Sequence, residues 1–123
     1  RPVIITGHSL GGAMAAILHG MDEFQNYTRP IFSQSCYTFG MPRYGNSLTT
    51  SMLPYPYHTY ALKDPAPRLP PELMGYRTSP SHEYCLEAGL VPGNAPQRPS
   101  IFLTRLSEHR IETYIPRISR LIP

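Results

Sequence analysis

At 123 residues the chain is long enough for one hydrophobic core and too short for two domains of ordinary size. Eleven basic against eight acidic side chains leave a net charge of +3, spread without the concentrated basic face of a nucleic-acid binder, so that class of partner is not expected. No apolar run approaches the about 20 residues of a membrane span, and neither C-x-x-C nor H-E-x-x-H spacing occurs, so no transmembrane segment or metal site is expected.

The chain begins Arg1-Pro2 with no legible signal peptide and enters a β-rich run, Val3-Ile4-Ile5-Thr6. Gly7-His8-Ser9-Leu10-Gly11-Gly12 follows, and then a helix former, Ala13-Met14-Ala15-Ala16-Ile17-Leu18. Strand, tight turn and helix in that order predict a nucleophile elbow, which lifts a serine hydroxyl clear of the sheet. The flanking positions must be small for strand and helix to approach, a role expected of Gly7 and Gly11 around His8 and Ser9. Leu10, Met14, Ile17, Leu18 and Met21 share one helical face, expected to pack on the sheet. His19 reads as a surface or packing residue, and the polar stretch 22–28 should end the helix before Pro30.

Residues 35–39 predict the next parallel strand, stopped at Gly40, with Cys36 inside it as a buried free thiol; pairing with Cys85, the other cysteine, stays open. A turn over 41–46, a short helix over 46–53 limited by Pro54 and Pro56, and a third strand over 57–62 lead to Lys63-Asp64. Prolines at 65, 67, 70, 71, 80, 92, 96 and 99 then largely exclude regular helix. Gly75-Tyr76 is expected to pair with residues 83–86 as a small hairpin, residues 87–100 to form a long exposed loop, and Ile101-Phe102-Leu103 to lead toward Ser107-Glu108-His109. The fold class is α/β, a mostly parallel sheet with flanking helices.

A serine hydroxyl is a weak nucleophile at neutral pH, so Ser9 needs a histidine to take its proton and an acid to orient that histidine. With an elbow serine these follow in chain order Ser, Asp or Glu, His. Asp64, at the end of a predicted strand, fits the acid. His8 lies inside the elbow and His58 precedes Asp64, which leaves His82 and His109 as candidate bases. The backbone N–H of Leu10, next after the serine, is a candidate oxyanion donor. Arg43 reads as structural.

Three segments occur in order: residues 7–16 around Ser9, then Tyr37-Thr38-Phe39-Gly40-Met41-Pro42-Arg43-Tyr44-Gly45-Asn46, then Asp64-Pro65-Ala66-Pro67-Arg68-Leu69-Pro70-Pro71. Together they resemble successive signatures of the fungal class 3 lipases, from residue 3 to about residue 86 and more loosely to about 115. The resemblance implies an α/β-hydrolase fold, of which residues 1–123 would be a partial domain: the C-terminal half from the nucleophile-elbow strand onward. The first strands, the lid and a second oxyanion donor belong to segments ahead of the elbow. It implies Asp64 as the acid and His109, beside Glu108, as the base. Two departures stand out: Cys85 replaces a usual tryptophan, and the aromatic usual three residues after the histidine gives way to Glu112, with Tyr114 at the fifth position.

The implied activity is that of a secreted serine carboxylic-ester hydrolase, cleaving triacylglycerol or another acylglycerol through an acyl-serine without cofactor, with transient contact to a lipid surface. Feruloyl esterase is the alternative within the same chemistry. A truncated, non-catalytic lipase-like interaction domain is the alternative outside it, because an isolated back half exposes a parallel strand edge and an apolar helix face. The sequence leaves the oligomeric state open.

Overall fold

The computed structural model describes residues 3–21, 34–79, 81–89, 97–100 and 103–121. Four strands, β1 (Val3–His8), β2 (Gln34–Phe39), β3 (Tyr57–Tyr60) and β4 (His82–Cys85), form one sheet in sequence order with every pair parallel. Helix α1 (Leu10–Gly20) follows β1, α2 (Ser47–Met52) follows β2, and α3 (Ile111–Ser119) closes the described chain. Because the strands are parallel, the residues that leave their C-terminal ends gather along one edge, where open α/β sheets hold their sites.

Helix α2 starts where expected, with the Asn46 side chain accepting from Thr49 N at 2.9 Å. Such a cap satisfies one of the donors that a helix N-terminus leaves without an internal acceptor.

Helix α1 packs by the face opposite to the one its large side chains suggest. Gly12, Ala13, Ala15, Ala16 and His19 are buried, whereas Leu10 is 67% exposed and Met14 63%. Ala15 packs with Ile5 and Cys36, and Ala13 and Ala16 pack with Met41. Tight approach is the cause: a Cβ on Gly12 would lie 3.2 Å from that of Met41, so only small side chains fit between helix and sheet. His19 is thereby a packing residue, and the stretch expected to end the helix lies outside the described residues.

Strand β4 also departs from expectation. It pairs parallel with β3, Tyr57 opposite His82 and Tyr60 opposite Cys85, instead of forming a hairpin with Gly75-Tyr76. Gly75 closes a 3₁₀ turn, Glu72–Met74, at φ 88°, a left-handed conformation that turns the chain away from strand geometry. Of the expected loop over 87–100, Ala88 ends a 3₁₀ turn, Leu86–Ala88, residues 97–100 carry no helix or strand, and 90–96 lie outside the described residues, as do Ile101 and Phe102.

Helix α3 was not foreseen. It carries Pro116 inside, which forgoes an N–H bond to the carbonyl of Glu112. Burial compensates: Tyr114 is fully buried in a cluster with Ala61 and Leu86, with Phe39 and Ile118 packed against it. Cys36 and Cys85 are both buried free thiols, and burial pushes the Cys36 thiol up to about 11.

Candidate active site

Ser9 sits between β1 and α1 at φ 57°, the one non-glycine residue in the left-handed region among the described residues. Such a conformation is strained for a residue with a Cβ and persists only where neighbours enforce it. Here Ser9 N donates to Phe39 O at 3.0 Å, while Ser9 O accepts from Gly12 N at 2.9 Å. Gly7 makes the turn sterically feasible, because a Cβ there would lie 2.1 Å from Gly11 O. The expected role of Gly11 needs correction: a Cβ on it would meet nothing within 4 Å, and it is Gly12 whose smallness the packing uses.

The elbow aims the Ser9 hydroxyl at His109, whose Nε2 lies 2.6 Å from Oγ. His109 Nδ1 lies 3.0 Å from Asp64 Oδ2. A carboxylate oxygen only accepts, so the Asp64 contact assigns the imidazole proton to Nδ1 and leaves Nε2 as acceptor for the serine O–H. The Asp64 side chain is fully buried and that of His109 is 23% exposed. Asp64 Oδ1 accepts from Ala66 N at 2.8 Å, a turn that the following prolines favour, and Oδ2 accepts from the Tyr114 hydroxyl at 2.5 Å. Tyr114 in turn accepts from Ala61 N at 3.0 Å. Burial, with the Asp64 charge second, raises the Tyr114 phenol well above its ordinary range, so it stays a donor.

Gly40, at the end of β2, is the floor of this cluster. It has φ 55°, and a Cβ on it would lie 2.7 Å from Asp64 Oδ2 and 2.9 Å from the Tyr114 hydroxyl. His8 completes the surroundings: its Nε2 lies 2.7 Å from the His109 carbonyl oxygen and its ring stacks on that of His109 at 4.9 Å.

The structure thus brings Ser9, His109 and Asp64 into one hydrogen-bonded series, with the N–H of Leu10 among the helix-terminal donors that have no acceptor within α1. His82 lies elsewhere, exposed at the start of β4 and stacked on Tyr57 at 5.0 Å. His58 is buried, accepts from Met41 N at 3.0 Å and is lowered to about 3 by burial and the nearby Arg98 charge, which keeps it neutral. Arg43 is structural: its guanidinium donates to the carbonyls of Arg68 and Pro70. Sequence reasoning missed Tyr114 as a partner of the acid. Tyr114 and Ile118, four apart, fit one helical face, but nothing in that spacing points to Asp64. Among the described residues no cluster of His, Cys, Asp and Glu could hold a metal ion. Chemically, a hydroxyl, an imidazole and a buried carboxylate in series can pass a proton from oxygen to nitrogen and stabilise the resulting cation.

A family model described as Lipase (class 3) matches residues 1–74. A Fusarium solani protein named secreted mono- and diacylglycerol lipase 1 is 41% identical over a 92-residue alignment that covers 70% of this chain and 25% of that protein. The crystal structure of a lipase from Rhizopus microsporus var. chinensis superposes with a TM-score of 0.66 at 29% identity, over 89% of this chain and 42% of that one. A triacylglycerol lipase whose catalytic centre is a serine-protease triad superposes with a TM-score of 0.66 at 25% identity, over 89% of this chain and 46% of that one. The chain therefore spans a quarter of the Fusarium relative's length and under half of either solved lipase.

Proposed function

The chain belongs to the class 3 lipase family, and from that premise we propose that it carries the catalytic triad of a serine carboxylic-ester hydrolase acting on acylglycerols, with Ser9 as nucleophile, His109 as base and Asp64 as acid. The observation that carries this reading is the series of contacts from Ser9 Oγ through both ring nitrogens of His109 to Asp64. Residues 1–123 are then one part of an α/β-hydrolase domain, with the lid and a second oxyanion donor contributed by segments ahead of the elbow.

In this reading His109 Nε2 takes the Ser9 proton as Oγ attacks the ester carbonyl carbon. The carbonyl oxygen becomes an oxyanion, to which the N–H of Leu10 donates; one such donor is worth roughly 3 kcal/mol in the transition state. Asp64 stabilises the imidazolium, which then protonates the departing alcohol and leaves an acyl-Ser9 ester. Water enters by the same route, His109 taking its proton, and releases the carboxylic acid. No step needs a metal or cofactor.

An acylglycerol substrate is supported by the names of the relatives and by a largely apolar groove of about 460 Å³ lined by Leu10, Met14 and Ile17 of α1 together with Tyr44, Leu69 and Tyr76. Transient contact with a lipid surface and secretion belong to the same reading, the latter on the name of the Fusarium relative. Among the described residues no helix is long and apolar enough to cross a membrane.

Hydrolysis of tributyrin, monobutyrin and methyl ferulate by the protein, beside its Ser9→Ala variant, tests the reading. Serine-dependent cleavage of the two glycerides supports it, and cleavage of methyl ferulate alone moves the assignment to a feruloyl esterase. No turnover of any of the three would leave a non-catalytic lipase-like domain.

A further inference from the structure

We propose that His8 is a positioning residue for His109, so that one dipeptide, His8-Ser9, sets both the nucleophile and its base; this rests on the triad reading above. A backbone carbonyl only accepts, so the 2.7 Å contact between His8 Nε2 and His109 O is an N–H donated by His8. The same ring lies over the His109 ring, centroids 4.9 Å apart with 29° between planes, and meets Tyr114 edge-on at 5.6 Å. His8 thus holds both the main chain and the side chain of the base.

His109 has need of such an anchor. It ends a 3₁₀ turn, Leu106–His109, that lies outside the sheet and bonds to α3 through Ser107 O, which accepts from Thr113 Oγ1 at 2.8 Å, and through Glu108. The turn is tied elsewhere by Arg105 N to Lys63 O at 3.0 Å and by the Arg117–Glu108 ion pair at 2.9 Å, neither of which touches His109 itself. The His8 bond does, and it closes the shortest mechanical circuit in the site. Ser9 Oγ meets His109 Nε2, the His109 carbonyl meets His8, and His8 is joined to Ser9 by a peptide bond. Rotation of the His109 ring or a shift of its backbone therefore works against an anchor fixed to the strained elbow. A misplacement of about 1 Å at a reacting group costs up to about 100-fold in rate, which sets the scale of what this anchor protects.

The test uses the protein produced from its complete reading frame, with His8→Ala, His8→Phe and His8→Gln beside Ser9→Ala. Kinetics on tributyrin and the rate of Ser9 labelling by a fluorophosphonate are measured with the thermal midpoint of each variant. His8→Ala is expected to lower kcat and the labelling rate together by about 10- to 100-fold with KM within about twofold. His8→Phe keeps a ring but no donor and should lose about tenfold; His8→Gln restores a side-chain N–H and should recover most of that loss. An unchanged kcat in His8→Ala overturns the inference, as does a loss that follows the thermal midpoint and is not recovered by glutamine. If Ser9→Ala stays fully active, the triad reading itself falls; if Ser9→Ala is inactive while His8→Ala is not, only the role of His8 falls.

Discussion

The hydroxyl of Tyr114 donates to Asp64 Oδ2 at 2.5 Å across a separation of 50 residues, both side chains fully buried. The carboxylate oxygen that faces His109 therefore also accepts from a phenol, and that phenol accepts from Ala61 N. Tyr114→Phe removes the donor without removing the ring, and leaves one oxygen of a buried carboxylate and one backbone N–H short of a partner. Such losses cost about 1–3 kcal/mol each. The variant should lose about 2–6 kcal/mol of stability in all, read as a lower urea midpoint, and kcat should fall by roughly tenfold as Asp64 loses its fixed orientation. An unchanged midpoint would show that the phenol contributes nothing to holding the acid.

The two flanking glycines of the elbow should behave oppositely. Gly7→Ala forces a Cβ to within 2.1 Å of the Gly11 carbonyl, which only a shift of α1 relative to β1 relieves. It should abolish activity and destabilise the fold severely. Gly11→Ala meets open space within α1, where alanine is the better helix former, and should raise stability by about 0.5–1 kcal/mol. Thermal unfolding of the pair decides this: equal losses in both would contradict the packing described for the elbow.

Acid should destabilise the protein partly through His58, which is buried, lowered to about 3 and accepts a bond from Met41 N. Its folded pKa lies below the unfolded value of about 6.5, so the unfolded chain binds the extra proton. Stability from this group is complete above about pH 6.5 and is lost as pH falls from there toward 3, by about 1.4 kcal/mol per pH unit. His58→Gln, which can still accept from Met41 N, should have a shallower fall between pH 6 and 4 than the parent protein. Urea unfolding of both chains at those two pH values measures the difference; identical slopes would mean that His58 is not held neutral.

Asp64→Asn should keep the fold's outline while lowering kcat on the order of 10⁴-fold, because an amide can donate to Nδ1 and so favours the wrong imidazole tautomer. The check is kcat on tributyrin with a folded far-ultraviolet dichroism spectrum as control. A loss below tenfold would place Asp64 outside the reaction.

The parts of this site that were legible in the sequence are those fixed by local chain demands. The elbow needs a strand, a glycine before the turn and a helix within a dozen residues, and all three are written consecutively around Ser9. Asp64 was legible because β3 ends just before it and Asp-Pro-Ala-Pro forms a turn of its own. What failed were choices between two sides of one pattern. The large residues of α1 mark an amphipathic helix, yet periodicity does not say which side meets the sheet; the size limit set by the close approach of α1 to β1 and β2 selected the alanines. Pairing of β4 with β3 depends on a parallel contact that no local turn announces. The fifth-position aromatic after His109 read as a departure, and only the helix α3 that carries it shows that Tyr114 reaches Asp64.

The most direct measurement is mass-spectrometric mapping of the residue modified when the protein reacts with a fluorophosphonate ester. Stoichiometric phosphonylation of Ser9 is expected, abolished in Ser9→Ala and slowed on the order of 10⁴-fold in His109→Ala, since the proposed base is then missing. A folded protein that leaves Ser9 unmodified, or is labelled equally fast without His109, would contradict the triad reading.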